Sequence, residues 1–599
     1  MAEQRARQLQ FAAMTSDCAS RDSAASQHAA GNDNDSRFRL RAGCVLILAA
    51  ILFFARLGAR ALWSSEFRWA EIAREMLVTH NYFWPTINGH VYYDKPLGSY
   101  WLVIFSTPFT GGLNEAATRL PCAIAGLLAV AILMLLVRRL YDARTAILGG
   151  VILATSFSFV FFSRNASADV ETLTGELAAL LLFNHYEERG GGLWVVGLWL
   201  IMAATSLTKG LLGFALPLLV IGVYACLRDG VVPFFQAIIR GPLIDRIRWL
   251  VERNRWFFNW YTVAAVALGA LVYGLPFQIS SRLMGSEKGL RMVYRENVVR
   301  FFHPFDHRGP IYLYVYVIFA LMAPWSALLP AALVETHSLR RGGAEPARAD
   351  RFALVYFWAT FIFFTVSGSR RSYYILPILP AAAILVARTL AYPSESELRS
   401  MIARRLLTVG YAIVALTAVA GIVLLIPARA ILPSPYDAFP PLPAKLAFIV
   451  FWVVSVAAVA YATGKFSPYR VAISVGTIAY LAMVYIFIFA IPAAEAYRGE
   501  KPFGYAVLNK IGGSTDRLVL FKTEGPLFYL NPPKPIAEFN KQQDLQDAIA
   551  KGSARWMIVR RRDMPKLDTL TTVELGEASY PWETDYNYRN KVLLVRLGK

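Results

Sequence analysis

The run LGSYWLVIFSTPFTGG, residues 97–112, is apolar enough to enter a bilayer, but Pro108 and Gly111 break it before it could cross one. A crossing helix takes roughly 20 mostly apolar residues. Whether this run counts as a span fixes the side of the membrane on which every later segment lies. Spans are expected at 43–59, 118–138, 146–163, 170–186, 192–207, 210–227, 257–279, 311–333, 352–367, 373–391, 405–427, 446–463 and 470–492, about thirteen in all. With 97–112 left out as a half-embedded helix, the inner loops collect Arg138, Arg139 and Arg144, then Arg228 to Arg255, Arg340 to Arg351, and Arg399 to Arg405. Lys and Arg stay on the cytoplasmic side of short loops. Counting 97–112 as a span would put the arginine-rich loop 228–256 outside, so the odd count is preferred, with a cytoplasmic N-terminus and a C-terminus on the outer face.

Composition agrees with this reading. Of 599 residues 56% are hydrophobic, the mean hydropathy is +0.42, and both values are too high for an ordinary soluble domain. The net charge of +20 does not call for nucleic acid, because inner loops and anionic headgroups account for such an excess. Residues 1–42 read as a disordered cytoplasmic tail, with no cleavable signal ahead of the basic cluster Arg37 to Arg41. Residues 43–492 make the membrane domain, with a long outer loop at 60–117. Beyond 493 the pattern changes: LVLF (518–521), WMIV (556–559) and KVLLVRL (591–597) read as strands, and QQDLQDAIA (542–550) as an amphipathic helix. A small α/β domain is expected over 493–599. The fold class is thus a polytopic α-helical membrane protein carrying that domain.

On this topology the charged residues at span ends gather on the outer face. Loop 60–117 holds Glu66, Arg68, Glu71, Arg74, Glu75, Asp94 and Lys95; the next outer loop holds Arg164 and Asp169. Lys209, the segment 300–310 and the segment 369–374 follow. Each could be an interfacial anchor with a snorkelling stem. As a set they favour a wet cavity, because acids and bases recur together where topology asks for neither. The stretch WSSEFRWAEIAREML (63–77) reads alone as an amphipathic surface helix, N-capped by Ser64 or Ser65, with Glu71, Arg74 and Glu75 along one edge.

Six blocks carry a resemblance: EFRWAEIAREM (66–76), YYDKPLGSYW (92–101), SRNASAD (163–169), LTKG (207–210), RFFHPFDHRGPIYLY (300–314) and RRSYYILPILPA (370–381). In this order they resemble the polyprenyl-phosphate-dependent GT-C glycosyltransferases, the group that includes the lipid A aminoarabinose transferases and the protein O-mannosyltransferases. The resemblance implies about thirteen transmembrane helices with a small periplasmic domain in a bacterial inner membrane. It implies a hexosyl or pentosyl transfer, with inversion, from a polyprenyl-phosphate-sugar donor to a lipid or glycan acceptor such as lipid A.

The resemblance also assigns roles. Lys95, Arg300, Arg370, Arg371 and Lys209 suit the departing lipid phosphate, and Tyr374 suits the phosphate or the sugar. Arg68, Arg164 and His307 belong to the same substrate-binding set. Asp169 and Glu66 are the candidate catalytic carboxylates. Asp94 stands where some relatives have glutamate and could hold a divalent cation, although the pattern specifies no cofactor. Where the family has aspartate before its glutamate, this chain has Ser65. Either the carboxylates share the base's task, or the acceptor is an already ionised phosphate or carboxylate oxygen. A lipid or sugar transporter is the alternative from another class, but no repeated halves are visible. An inactive relative that binds polyprenyl phosphate is the third reading, and Ser65 is its motive.

Overall fold

The computed structural model describes residues 35–63, 65–189, 192–230, 233–236, 242–303, 308–338, 348–392, 450, 454, 468–493, 499–566, 571–577 and 585–597. Expectations for the tail before residue 35, the Ser64 cap, His307, the span 405–427 and nearly all of 446–463 lie outside the described residues.

A helical bundle makes up the first part. After α1 (35–54) and α2 (Glu66–Thr79) come a short hairpin, β1 (Thr86–Ile87) with β2 (His90–Val91), and then α3 (Gly98–Ser106). The bundle continues through α4 (Glu115–Leu140), α5 (Ala143–Ala154), α6 (Phe157–Ser163), α7 (Asp169–Tyr186), α8 (Leu193–Lys209) and α9 (Leu212–Leu227). It is completed by α10 (Leu243–Arg253), α11 (Trp260–Met284), α12 (Lys288–Tyr294), α13 (Leu313–Leu321), α14 (Leu329–Ser338), α15 (Arg348–Val366), α16 (Ser372–Ala391) and α17 (Pro468–Val484). Among the described residues five helical stretches are long and apolar enough to cross a membrane: α4, α11, α15, α16 and Tyr469–Phe489. The chain is a multi-pass helical membrane protein.

α4 shows why such a helix forms. Asn114 caps it by accepting from the Ala117 N–H, and Arg138 and Arg139 sit in its last turn, where the helix dipole favours cations. α5 and α6 together would make a sixth span but meet at 66°. The break is stable because neighbours satisfy it: Phe157 N–H donates to Ala323 O at 2.9 Å and Trp325 Nε1 to Thr155 Oγ1 at 2.9 Å. The expected span 311–333 is likewise not one helix. It runs as α13, a turn at Met322–Pro324, a 3-10 turn over Trp325–Leu328, and then α14. Pro324 offers no N–H to continue α13.

The run 97–112 forms α3 and one 3-10 turn, about 20 Å of helix, too short to span. It lies on the end of α8: Ser99 Oγ donates to Thr208 O at 2.8 Å, and a Cβ on Gly98 would come within 2.6 Å of Leu207 O. Phe105 and Phe109, 70% and 71% exposed, face outward from it as a half-embedded helix requires.

The C-terminal part contains α18 (Glu500–Ile511), β3 (Leu518–Phe521), α19 (Leu527–Leu530), β4 (Ala537–Phe539), α20 (Gln542–Ala550), β5 (Trp556–Arg560), β6 (Thr571–Gly576), α21 (Asp585–Asn590) and β7 (Val592–Leu597). The sheet order is β4-β3-β5-β7-β6, with β3 parallel to β4 and β5, and β7 antiparallel to β5 and β6. Side chains alternate between its faces. Val519, Met557 and Leu593 pack with Leu545 of α20 on one face. On the other, Leu518, Leu520, Ile558 and Leu594 share a core with Trp69, Ile72, Met76, Leu97 and Tyr100 of the loop 60–117.

Polar bolts reinforce that shared core. Tyr529 Oη accepts from Leu62 N–H at 2.7 Å and donates to Glu115 at 3.3 Å, and Lys501 Nζ reaches the same Glu115 oxygen at 2.7 Å. Arg74 donates to Pro532 O at 2.9 Å, and Asn88 exchanges two hydrogen bonds with the Ile536 backbone. α2 is therefore no surface helix: Glu66, Glu71, Arg74 and Glu75 are all buried, with Arg74 forked onto Glu71 at 2.7 and 2.9 Å. Ser65 makes no cap; Glu66 instead turns back to accept from Trp63 N–H at 3.0 Å.

Candidate functional site

Helix ends and loops bring the charged groups together at one end of the bundle. Asp169 is the first residue of α7, set there by Ala168 in a left-handed conformation (φ 60°), and Lys209 is the last residue of α8. The two helices pack so that Lys209 Nζ forms an ion pair with the Asp169 carboxylate. The same ammonium lies 5.4 Å from the centre of the Tyr374 ring at the start of α16. An anion at the head of α7 is also favoured by the helix dipole. Gly210 after Lys209 has φ +110°, and a Cβ there would lie 2.5 Å from Asn297 Oδ1. Asn297 accepts from Leu211 N–H at 2.8 Å, so the glycine lets segment 295–300 close over the end of α8.

That segment carries Glu296 and Arg300, an ion pair one helical turn apart. Burial pushes the Glu296 carboxyl up from its ordinary value, with Asp94 adding to the rise, against the charges of Arg300 and Lys95. Lys95 and Asp94 pair at 3.2 Å and are both partly exposed. Loop 60–117 and segment 295–300 thus share one electrostatic neighbourhood. Arg68 lies 5.3 Å from the Tyr92 ring beside them. Arg370 donates to Gly309 O at 2.8 Å and to Thr365 O at 3.1 Å, while Arg371 donates to Tyr373 Oη at 2.7 Å. Gly368 N–H reaches Phe301 O at 2.9 Å, tying the turn before α16 to the residue after Arg300.

Two expected members stand apart. Glu66 is 2% exposed and fully engaged: Arg119 forks onto it with two bonds of 2.8 Å, Arg60 lies at 3.2 Å, and Ala166 N–H donates at 3.1 Å. Burial raises its pKa, but the Arg119 charge and hydrogen bonds, with Arg60 and Ala166, outweigh this and hold it below the usual carboxylate value. A carboxylate so saturated is poorly suited to take a proton and well suited to fix the loop that carries Asp169. Arg164 donates to the carbonyls of Phe53 and Ala55 at 3.2 and 2.9 Å, closing the end of α1.

Asp94 pairs with the Lys95 ammonium, and among the described residues no three His, Cys, Asp or Glu side chains gather as a metal would need.

Sequence reading missed Arg119, Arg60 and Glu296. Arg119 carried a signal, being an arginine at the head of an apolar span. Glu296 and Arg300 stand at i,i+4 spacing.

Residues 94–236 match the family model described as dolichyl-phosphate-mannose-protein mannosyltransferase. An uncharacterized protein of Aquifex aeolicus is 30% identical over 363 residues, 60% of this chain and 65% of its own. The undecaprenyl phosphate-alpha-4-amino-4-deoxy-L-arabinose arabinosyl transferase 1 of Pseudomonas fluorescens is 27% identical over 353 residues, 58% of this chain and 59% of that one. These matches span less than two thirds of the length of either relative. The crystal structure of ArnT from Cupriavidus metallidurans bound to undecaprenyl phosphate superposes with a TM-score of 0.67 at 20% identity, covering 92% of this chain and 97% of that one. The chain thus has the fold of ArnT and is similar in sequence, over part of its length, to GT-C membrane glycosyltransferases. Among these it resembles the aminoarabinose transferases and the protein mannosyltransferases.

Proposed function

We propose that the chain transfers a sugar from a polyprenyl-phosphate carrier to an envelope acceptor such as lipid A or another glycolipid, on the periplasmic face of a bacterial inner membrane, with its N-terminus cytoplasmic and its C-terminus periplasmic. The observation that carries this reading is the convergence of Asp169–Lys209, Asp94–Lys95 and Glu296–Arg300 from separate loops. Inverting transfer needs a cationic seat for the departing phosphate and a carboxylate near the attacking oxygen.

In this reading the acceptor oxygen bonds to the anomeric carbon as the bond to the carrier phosphate oxygen breaks, and the phosphate leaves with the electron pair. Lys95 and Arg300 bind the leaving phosphate, with Arg370, Arg371 and Tyr374 along the approach. Asp169, held by Lys209, orients the acceptor and takes its proton when that acceptor is a hydroxyl. Glu66 acts through Arg119 and Ala166 as a positioning residue. Ser65 is exposed and offers no carboxylate, which favours an acceptor oxygen that is already ionised.

Deletion of the gene in the source organism, followed by mass analysis of envelope lipids and glycans, tests the proposal. A missing sugar substituent is expected and identifies the product; an unchanged envelope would refute the transferase reading. Complementation with Asp169→Asn is expected to restore none of the missing substituent, and full restoration would remove Asp169 from its role.

A further inference from the structure

Between the end of α1 and the helical continuation of α17 lies a small, partly open pocket. Four arginines, Arg56, Arg60, Arg119 and Arg164, line it together with Asn165, and Phe487 and Ile491 supply an apolar side. Backbone carbonyls hold several of these guanidiniums in place: Arg56 donates to Ile488 O at 3.0 Å, Arg119 to Leu57 O at 2.9 Å and Ala61 O at 2.8 Å, and Arg164 to Ala55 O at 2.9 Å. No carboxylate is among the lining residues: Arg119 is paired with Glu66 behind the wall and feels the charge of Glu115, while Arg56, which is exposed, and the buried Arg164 donate to backbone carbonyls. Arg119 and Arg164 are 1% and 7% exposed. Buried like charges are costly unless an opposite charge completes them. The strain is visible at Arg164, whose pKa burial, with the neighbouring Arg119 and Arg60, pushes down to about 10.

We propose that this pocket is an anion site that seats the phosphate group of a membrane lipid. Guanidinium groups held at fixed angles match phosphate oxygens in pairs, and the apolar wall formed by Phe487 and Ile491 gives the attached chain a path that a free ion would not need. The site is separate from the Lys95–Arg300 set and does not depend on the transfer reaction.

The test uses the full-length protein, delipidated in detergent, with no sugar donor. Binding of phosphatidylglycerol, phosphatidylcholine and inorganic phosphate is followed by native mass spectrometry and by the thermal unfolding midpoint. Saturable phosphatidylglycerol binding is expected, tighter than that of inorganic phosphate. Arg56→Gln is expected to weaken it on the order of tenfold, as loss of a charge-assisted contact does. Arg56→Lys is expected to fall between the two, which separates charge from fold. Arg291→Gln, at a side chain 81% exposed, is expected to leave the affinity unchanged and controls for general surface attraction. Equal affinity in the wild type and Arg56→Gln would overturn the site. Equal binding of inorganic phosphate and phosphatidylglycerol would overturn its assignment to a lipid. Because no transfer is measured, these outcomes are independent of the proposed activity.

Discussion

Glu66 and Asp169 are both buried carboxylates facing a cation, and their surroundings give them different work. Glu66 accepts from two arginines and two backbone N–H groups, and its folded pKa is depressed. A depressed carboxylate contributes stability that is present above its unfolded value and lost as pH falls through the folded one. Glu66→Gln is therefore expected to flatten the acid limb of the stability profile below about pH 4.5, read as unfolding midpoint against pH. An acid limb identical to wild type would mean Glu66 is not the ionised anchor of its loop. Ser65 gives a separate test, since an exposed position accepts an added carboxylate without disturbing the fold. If the acceptor is a hydroxyl in want of a base, Ser65→Asp should raise the transfer rate on the order of 10²-fold; an unchanged rate points to an ionised acceptor.

The charges at helix ends were legible in the sequence because topology left them unexplained. The role of Glu66 was not, since it depends on Arg119, 53 residues away.

Among the elements, α3 was readable because its interruptions are local: Pro108 and Gly111 stop a helix wherever it lies. The break between α13 and α14 has an equally local signal in Pro324, which the expected span 311–333 ran through; the bend between α5 and α6 was not legible, because it depends on partners from another segment, Ala323 for Phe157 and Trp325 for Thr155. The seat of α3 on α8 rests on Gly98, where any Cβ meets backbone that cannot swing aside. Gly98→Ala is expected to cost about 1–3 kcal/mol as overpacking does, seen as a lower unfolding midpoint. It should also impair transfer, because Lys95 precedes this contact by three residues. Unaltered stability would mean that α3 is not tightly seated.

Across the whole molecule, the strands of the C-terminal sheet were visible as short apolar runs, yet nothing in them named the surface they cover. That surface comes from residues more than 400 positions earlier, which a reading by local period cannot connect. Tyr529 sits at the junction, and Tyr529→Phe is expected to leave the buried Leu62 N–H without its acceptor and to destabilise the protein by about 1–3 kcal/mol. Proteolysis should then cut earlier in both the loop 60–100 and the sheet; earlier cutting in the sheet alone would mean that the two parts open separately.

The joint core of the loop and the sheet also sets a timetable for synthesis. Trp69 leaves the ribosome about 450 residues before Leu518, roughly 20–90 s earlier at ordinary elongation rates. For that interval the loop carrying Glu66, Arg68 and Lys95 has no lid for Trp69, Ile72 and Met76, and the nascent chain depends on the membrane surface or a chaperone to cover them. A stop codon before Leu518 would leave those side chains uncovered for good, so truncations that remove the sheet should behave as loss of the whole protein rather than as trimming of an appendage.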